Sequence, residues 1–499
     1  MEPPRTIPVG EWLPDLPHYS NPGALVAKNV VPDVHSYRPF KDFAAQSDAL
    51  TGECLGGTAC KDADNNVFVY AGDSSKLYEM VDNSFTDESK VGGYTTATDD
   101  AWEFACWGAN NKVIATNFTD PVQSIAAGGG AAGAFADMIT STNKPKAKHV
   151  AIVRDFAVLA NTSDATDGHK PSRLWWSAIR DETDFDPAAS TQCDYADLPE
   201  GGWINRVVGG AEYGVVFQDS MIRRMDYAGA PLVFDIPAVD RGRGAPIPGG
   251  VVALGRSTFF ISHEGFFAFD GAQSHSIGSG KVDRTFWQQF DLNNKKGVSA
   301  AIDPVNKLVC WAFPGDGAAT ATPNKIYMYR WDTGKWSEAE IDTQFVMSAM
   351  AQGYTLEGLD AVSADIDALA VSLDSEAWKG GKLNLSLFNT SNILGTLDGS
   401  ALAATVETGE IELTAGGRTE ITGIRMLVDD AAHNVQVAGK QQASDTLSYT
   451  AASSPNSFTG ECNVSVDARY HRIRCNIDAG ADWTHLQGVQ PRTSQKGLW

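Results

Sequence analysis

A chain of 499 residues is longer than one ordinary domain, and 43% hydrophobic with 20% charged residues excludes wholesale disorder. The 62 acidic and 39 basic residues give a formal charge of −23, which argues against gripping nucleic acid or anionic lipid through Lys and Arg. With 48 glycines and 10% aromatic residues, short strands joined by turns are expected.

Residues 1–50 are rich in proline, including Pro3, Pro4, Pro8, Pro14, Pro17, Pro22, Pro32 and Pro39, and lack periodicity. Proline fixes φ and removes a donor, so this segment reads as an extended N-terminal arm packed over another part of the chain. Met1 to Arg5 opens without a basic region followed by an apolar one, so no export signal is visible. Seven cysteines stand at 54, 60, 106, 193, 310, 462 and 475. Their odd number and the missing export signal make free thiols the expectation.

Over residues 51–350 one pattern recurs. An apolar strand is followed, after a turn, by a second apolar or aromatic strand. The first strands centre on Phe68, Val113, Val158, Val216, Phe260 and Val309. The second include Leu77 to Met80, Val122 to Ile125, Leu174 to Ser177, Met221 to Met225, Phe266 to Phe269 and Ile326 to Tyr329. Ala71-Gly72-Asp73, Gln218-Asp219-Ser220 and His263-Glu264-Gly265 suit the hairpin turns. The period is about 45 residues, that of a four-stranded β-propeller blade. Tyr329 to Trp336 looks like a kelch-type blade end, with Asp332, a turn at Gly334 and Trp336 opening the next strand. One longer interval places an inserted loop near Thr162 to Lys170. The fold class is therefore mainly β: a β-propeller of about six blades, five to seven being possible, with the N-terminal arm and a C-terminal β domain.

Residues 126–137 form a glycine- and alanine-rich loop, expected to connect blades. Residues 351–389, with Asp360, Asp365 and Asp367, read as a linker with some helix. Residues 390–499 alternate apolar and polar positions, as in Val435-Gln436-Val437 and His471 to Ile477, and read as a β domain of half-buried antiparallel strands.

Catalytic motifs are sparse. Gly278-Ser279-Gly280-Lys281 lacks the upstream glycine of a phosphate loop and reads as a turn before Asp283. Asp62 to Asn66 begins like a calcium loop, but Val67 holds the glycine position, and the segment reads as a turn. The histidines, among them His35, His149, His169, His263 and His275, are scattered and read as surface or satisfied core imidazoles. Arg223, Arg224, Arg241 and Arg243 form the nearest approach to a sialidase-type arginine cluster, without the Asp boxes of such enzymes. Lys144 to Lys148 reads as a solvated turn. No enzyme activity, catalytic residue, cofactor or metal site is expected, and no apolar run reaches the ~20 residues that span a bilayer.

Several segments carry a family resemblance. They are Gly10-Glu11-Trp12-Leu13-Pro14-Asp15-Leu16-Pro17, Asn21-Pro22-Gly23-Ala24-Leu25, Ala27 to Val30, Tyr37-Arg38-Pro39-Phe40, Val153 to Phe156, Trp176 to Ile179, Leu198 to Gly202, Gly265-Phe266-Phe267, Val282-Asp283-Arg284 and, more weakly, Val466 to Arg472. The sequence resembles the nozzle (tail tube end) proteins of short-tailed bacteriophages, mostly between about residues 9 and 300. The resemblance implies a structural virion protein, assembled in the host cytoplasm, whose propeller-bearing subunits form a hexameric ring. That ring would extend the DNA ejection channel below the tail adaptor protein and dock tail fibre, spike or needle proteins. Genomic DNA would pass without tight binding, which an acidic lumen favours. The alternative reading is a propeller that binds or hydrolyses host-surface glycans.

Overall fold

The computed structural model describes all residues except 1–5, 20, 63–65, 82, 129–132, 319–320, 351–382, 430–431 and 497–499. Among the described residues seven antiparallel units form the blades, each of four strands except blade 4, which has a fifth, Ala238–Arg241. Blade 1 runs from Gly56–Lys61 to Ser84–Asp87, blade 2 from Glu103–Trp107 to Ala136–Asp137, and blade 3 from Lys146–Val153 to Asp194–Asp197. Blade 4 starts at Ile204–Val208, blade 5 at Val252–Leu254 and blade 6 at Ser299–Asp303. The recurrent hairpins of the sequence are the second and third strands of these six units.

Blade 7 is assembled from remote pieces. Phe345–Met350, Leu383–Phe388 and Ile393–Thr396 supply three strands, and Ala44–Ala49 from the N-terminal arm supplies the fourth. Two strands therefore lie beyond the 351–389 linker boundary or inside it, and the C-terminal domain starts only after Thr396. The reading of 351–389 as partly helical, with Asp360, Asp365 and Asp367, otherwise falls outside the described residues.

Burial explains why the units close into a ring. The described core divides into seven clusters, one in each gap between neighbouring blades. Tyr70 packs with Val113 and Ile125 between blades 1 and 2, and Trp107 and Ile114 with Val150 and Trp175 between blades 2 and 3. Phe156 and Trp176 meet Val216 and Phe234, and Phe217 meets Phe260. Phe266 meets Trp311, Met328 meets Val346, and Phe388 with Leu394 meets Val69 and Tyr78. The last contact joins blade 7 to blade 1. Ring closure leaves each hydrophobic blade face covered on both sides.

The C-terminal domain is built on blade 6. The outer strand Lys335–Glu340 pairs in parallel with Ala24–Lys28, which pairs with Ala404–Thr408, which pairs with Tyr470–Ile477. One sheet thus passes from propeller to domain through a strand of the arm. A second sheet holds Val30–Pro32, Tyr37–Pro39, Leu486–Gln495, Thr419–Val428 and Cys462–Ala468, with Ile7–Pro8 paired to Leu486–Gln495. The two sheets bury Ile424, Val437, Ile473 and Leu486 in the same cluster as Trp311 and Trp336 of blade 6.

Three local expectations change. Cys60 and Cys106 are joined by a disulfide between the first strands of blades 1 and 2, while the other five cysteines are free and buried. Their separation of 46 residues is about one blade period, which sets the two strands side by side. Thr162 to Lys170 is not an inserted loop but the end of a long hairpin, Phe156–Asp164 with Gly168–Trp176. The extra length of blade 3 lies at 177–193, pinned by Asp186, which accepts from Thr142 N and Asn143 N. The glycine-rich segment joins two strands within blade 2, not two blades.

Candidate functional site

The first strand of each blade faces the propeller axis, and the residues there were the least conspicuous in the sequence. Glu103 opens the first strand of blade 2 and is 9% exposed at its side chain. Its carboxylate bonds His149 Nδ1 of blade 3 at 2.8 Å, accepts from Val150 N at 3.2 Å and from Arg206 of blade 4 at 2.7 Å. Burial pushes the Glu103 carboxyl up, but Arg206 and His149 outweigh it and hold the group below its ordinary value. Arg206 thus reaches past blade 3.

Next to this network the first strand of blade 3, Lys146–Val153, carries Lys148, which pairs with Asp100 at 2.7 Å. Lys146 is bonded to the Thr119 carbonyl. The basic run read as a solvated turn is therefore half inner strand, with both lysines engaged. Lys148 also lies 5.0 Å from the centroid of the Phe118 ring.

Phe118 belongs to the turn between the second and third strands of blade 2 and has φ +64°. A bulky residue in the left-handed region is an outlier that its surroundings must enforce. Here Asn117 does so: its Oδ1 accepts from Asp120 N, and its amide donates to Asp120 Oδ2. The ring stands 4.9 Å from His169, and His169 stands 6.0 Å from Trp203. His169 is exposed, and its Nε2 is 2.7 Å from Oδ1 of buried Asn161, whose amide donates to the Ile204 carbonyl. Trp203 is 52% exposed. It follows Gly201 and Gly202, at φ +93° and +86°, and Asp219 accepts from its backbone N at 2.8 Å. Three blades thus present one aromatic row beside a charged pair.

The other residues flagged in the sequence do not join this row. Arg224 pairs with Asp226, Arg243 with Glu264, and Arg223 with Gln218 and Glu200, each on local partners. Gly278 to Lys281 is a turn, its Gly278 carbonyl accepting from Lys281 N, while Lys281 Nζ reaches Glu11 at 2.6 Å. Asp62 accepts from Asn66 N within the blade 1 hairpin. Among the described residues no group of three or more His, Cys, Asp or Glu could hold a metal ion, and no helix is long and apolar enough to cross a membrane. An open depression of about 460 Å³ on blade 1 is flanked by Lys76 and Asp87, which pair with each other at 2.9 Å.

No protein-family model matches this chain, and no curated protein matches it. Among solved structures it is similar to one described as the crystal structure of RRP9 WD40 repeats, at 7% identity over 63% of this chain and 89% of that one, with a TM-score of 0.40.

Proposed function

We propose that this chain is a structural virion protein, the subunit of a tail nozzle ring of a short-tailed phage, which continues the DNA ejection channel and docks other tail components. The observation that carries the reading is the resemblance of the segments from Gly10 to Arg284 to nozzle proteins.

Their placement supports it. Arm residues 10–17 sit directly on the segment 281–285: Glu11 pairs with Lys281, and Asp15 accepts from Arg284 N and Thr285 N at 2.8 Å each. Two stretches far apart in sequence that carry the resemblance thus form one joint between arm and propeller. In this reading the conduit is the lumen of the ring, not the bore of one propeller. The conduit lies between copies, and the surplus of acidic residues keeps its wall from binding phosphate.

The test is assembly. The purified chain, mixed with a candidate tail adaptor protein, should give a closed ring by light scattering and electron microscopy, six-fold by the resemblance. The ring should not bind duplex DNA tightly at physiological salt. A chain that stays monomeric with the adaptor, or a ring lined mainly by Lys and Arg, would overturn the reading.

A further inference from the structure

Phe118, His169 and Trp203 stand in one row across blades 2, 3 and 4. It combines a half-exposed indole with hydrogen-bonding groups beside it. Phe118 is held at positive φ by the hydrogen bonds between Asn117 and Asp120, and Trp203 follows two positive-φ glycines. A bulky residue held in the left-handed region on a partly exposed turn is an outlier that motivates a hypothesis of function.

We propose that Trp203, His169 and Phe118, with Lys148 and Asp100, form a subsite for a neutral pyranose of a polysaccharide. A sugar ring has an apolar C–H face, which packs on an aromatic plane through the negative face of its π-system. It also has a rim of hydroxyls that both donate and accept. The row supplies both complements: the half-exposed Trp203 indole, the Nδ1 of His169 left over once Nε2 bonds Asn161, and the Lys148–Asp100 pair. Charge selects among ligands that stack. The only cation in the group is already paired with Asp100, and the chain carries −23, so nucleic-acid bases bring a phosphate penalty and acidic sugars find no free counter-charge. The proposal does not rest on the ring, because all five residues belong to one chain.

The experiment is a titration of the full-length protein with maltohexaose, cellohexaose, laminarihexaose and chitohexaose, followed by calorimetry and ligand-observed NMR. At least one should bind with a Kd between about 0.1 and 5 mM. Trp203→Ala should weaken that binding by about tenfold or more without moving the thermal midpoint, since the side chain is half exposed. Phe118→Gly, which suits the positive φ while deleting the ring, should weaken it too. Absence of binding to all four sugars at about 10 mM would overturn the proposal. So would binding that survives Trp203→Ala, or Trp203-dependent binding of oligo(dT) tighter than that of any sugar. Each of these failures leaves the assembly test unaffected.

Discussion

Arg206 of blade 4 donates to Glu103 of blade 2 at 2.7 Å, across the width of blade 3. A bond between non-adjacent blades ties their inner strands together independently of the sheets. Glu103→Gln keeps the acceptor for Val150 N but leaves Arg206 and His149 without the charge. We expect a loss of about 2–3 kcal/mol near pH 7 in urea unfolding, at the lower end for a buried pair because Arg206 is 31% exposed. The folded-state pKa of Glu103 is depressed, so its stabilisation is present above the ordinary 4.5 and lost as pH falls through the folded value. Wild type and Glu103→Gln should therefore converge in acid, and a gap that stays constant down to about pH 3 would contradict this.

What could be read from the sequence follows burial. The second and third strands of blades 1 to 6 carry runs of buried residues close together in sequence, wholly buried in Leu308–Phe313 with Lys325–Arg330, so they stand out as hairpins. First strands carry polar side chains, as Lys146 and Lys148 do on the blade 3 inner strand, and lose the apolar signal. Blade 7 was invisible because Ala44–Ala49 closes a sheet with Ile393–Thr396, a pairing no local pattern encodes. The candidate site was hidden for the same reason: Phe118, His169 and Trp203 come from three separate turns or strand ends.

The Cys60–Cys106 bridge joins the inner strands of blades 1 and 2 and closes a loop spanning 46 positions. By loop entropy such a cross-link is worth about 4 kcal/mol against the unfolded chain. The remaining thiols do not compete: burial pushes Cys193 and Cys475 up to about 12 and Cys462 up to about 11. Oxidised protein should show one disulfide by mass and five alkylatable thiols after unfolding. Cys60→Ser with Cys106→Ser should lower the thermal midpoint of the oxidised form and leave it indifferent to reductant.

Asp283 is a carboxylate the fold holds at a cost. Burial, then repulsion from Asp15, raise its pKa from 3.8 to about 6, opposed by the Phe266 N–H at 3.0 Å. A carboxyl bound more tightly to its proton when folded makes stability fall as pH rises from about 4 to 6. Asp283→Asn should abolish that fall and raise stability at pH 7 by up to about 3 kcal/mol. Asp15→Ala should instead destabilise, by about 1 kcal/mol, through loss of the cap on Arg284 N and Thr285 N, while lowering the Asp283 pKa. A neutral-pH loss on Asp283→Asn would refute this assignment.

The arm is the piece on which both folded parts depend. Ala44–Ala49 closes blade 7 against Ile393–Thr396, and Ala24–Lys28 is the only strand joining the blade 6 sheet to Ala404–Thr408 among the described residues. Trp12, 2% exposed, packs edge-on against Tyr327 of blade 6 at 5.0 Å and donates to the Leu25 carbonyl. Trp12→Ala should cost about 3–5 kcal/mol, as for a large core aromatic. Removing residues 1–50 should do more than subtract that contact. It would strip the outer strand from blade 7 and expose unpaired edges on that blade and on the C-terminal sheet, a template for aggregation. The truncated chain should be insoluble or bind ANS, whereas supplying residues 6–50 as a separate peptide during refolding should restore the near-ultraviolet signal of the buried tryptophans. A soluble truncated chain with native unfolding cooperativity would mean that neither the blade 7 closure nor the shared sheet holds the molecule together.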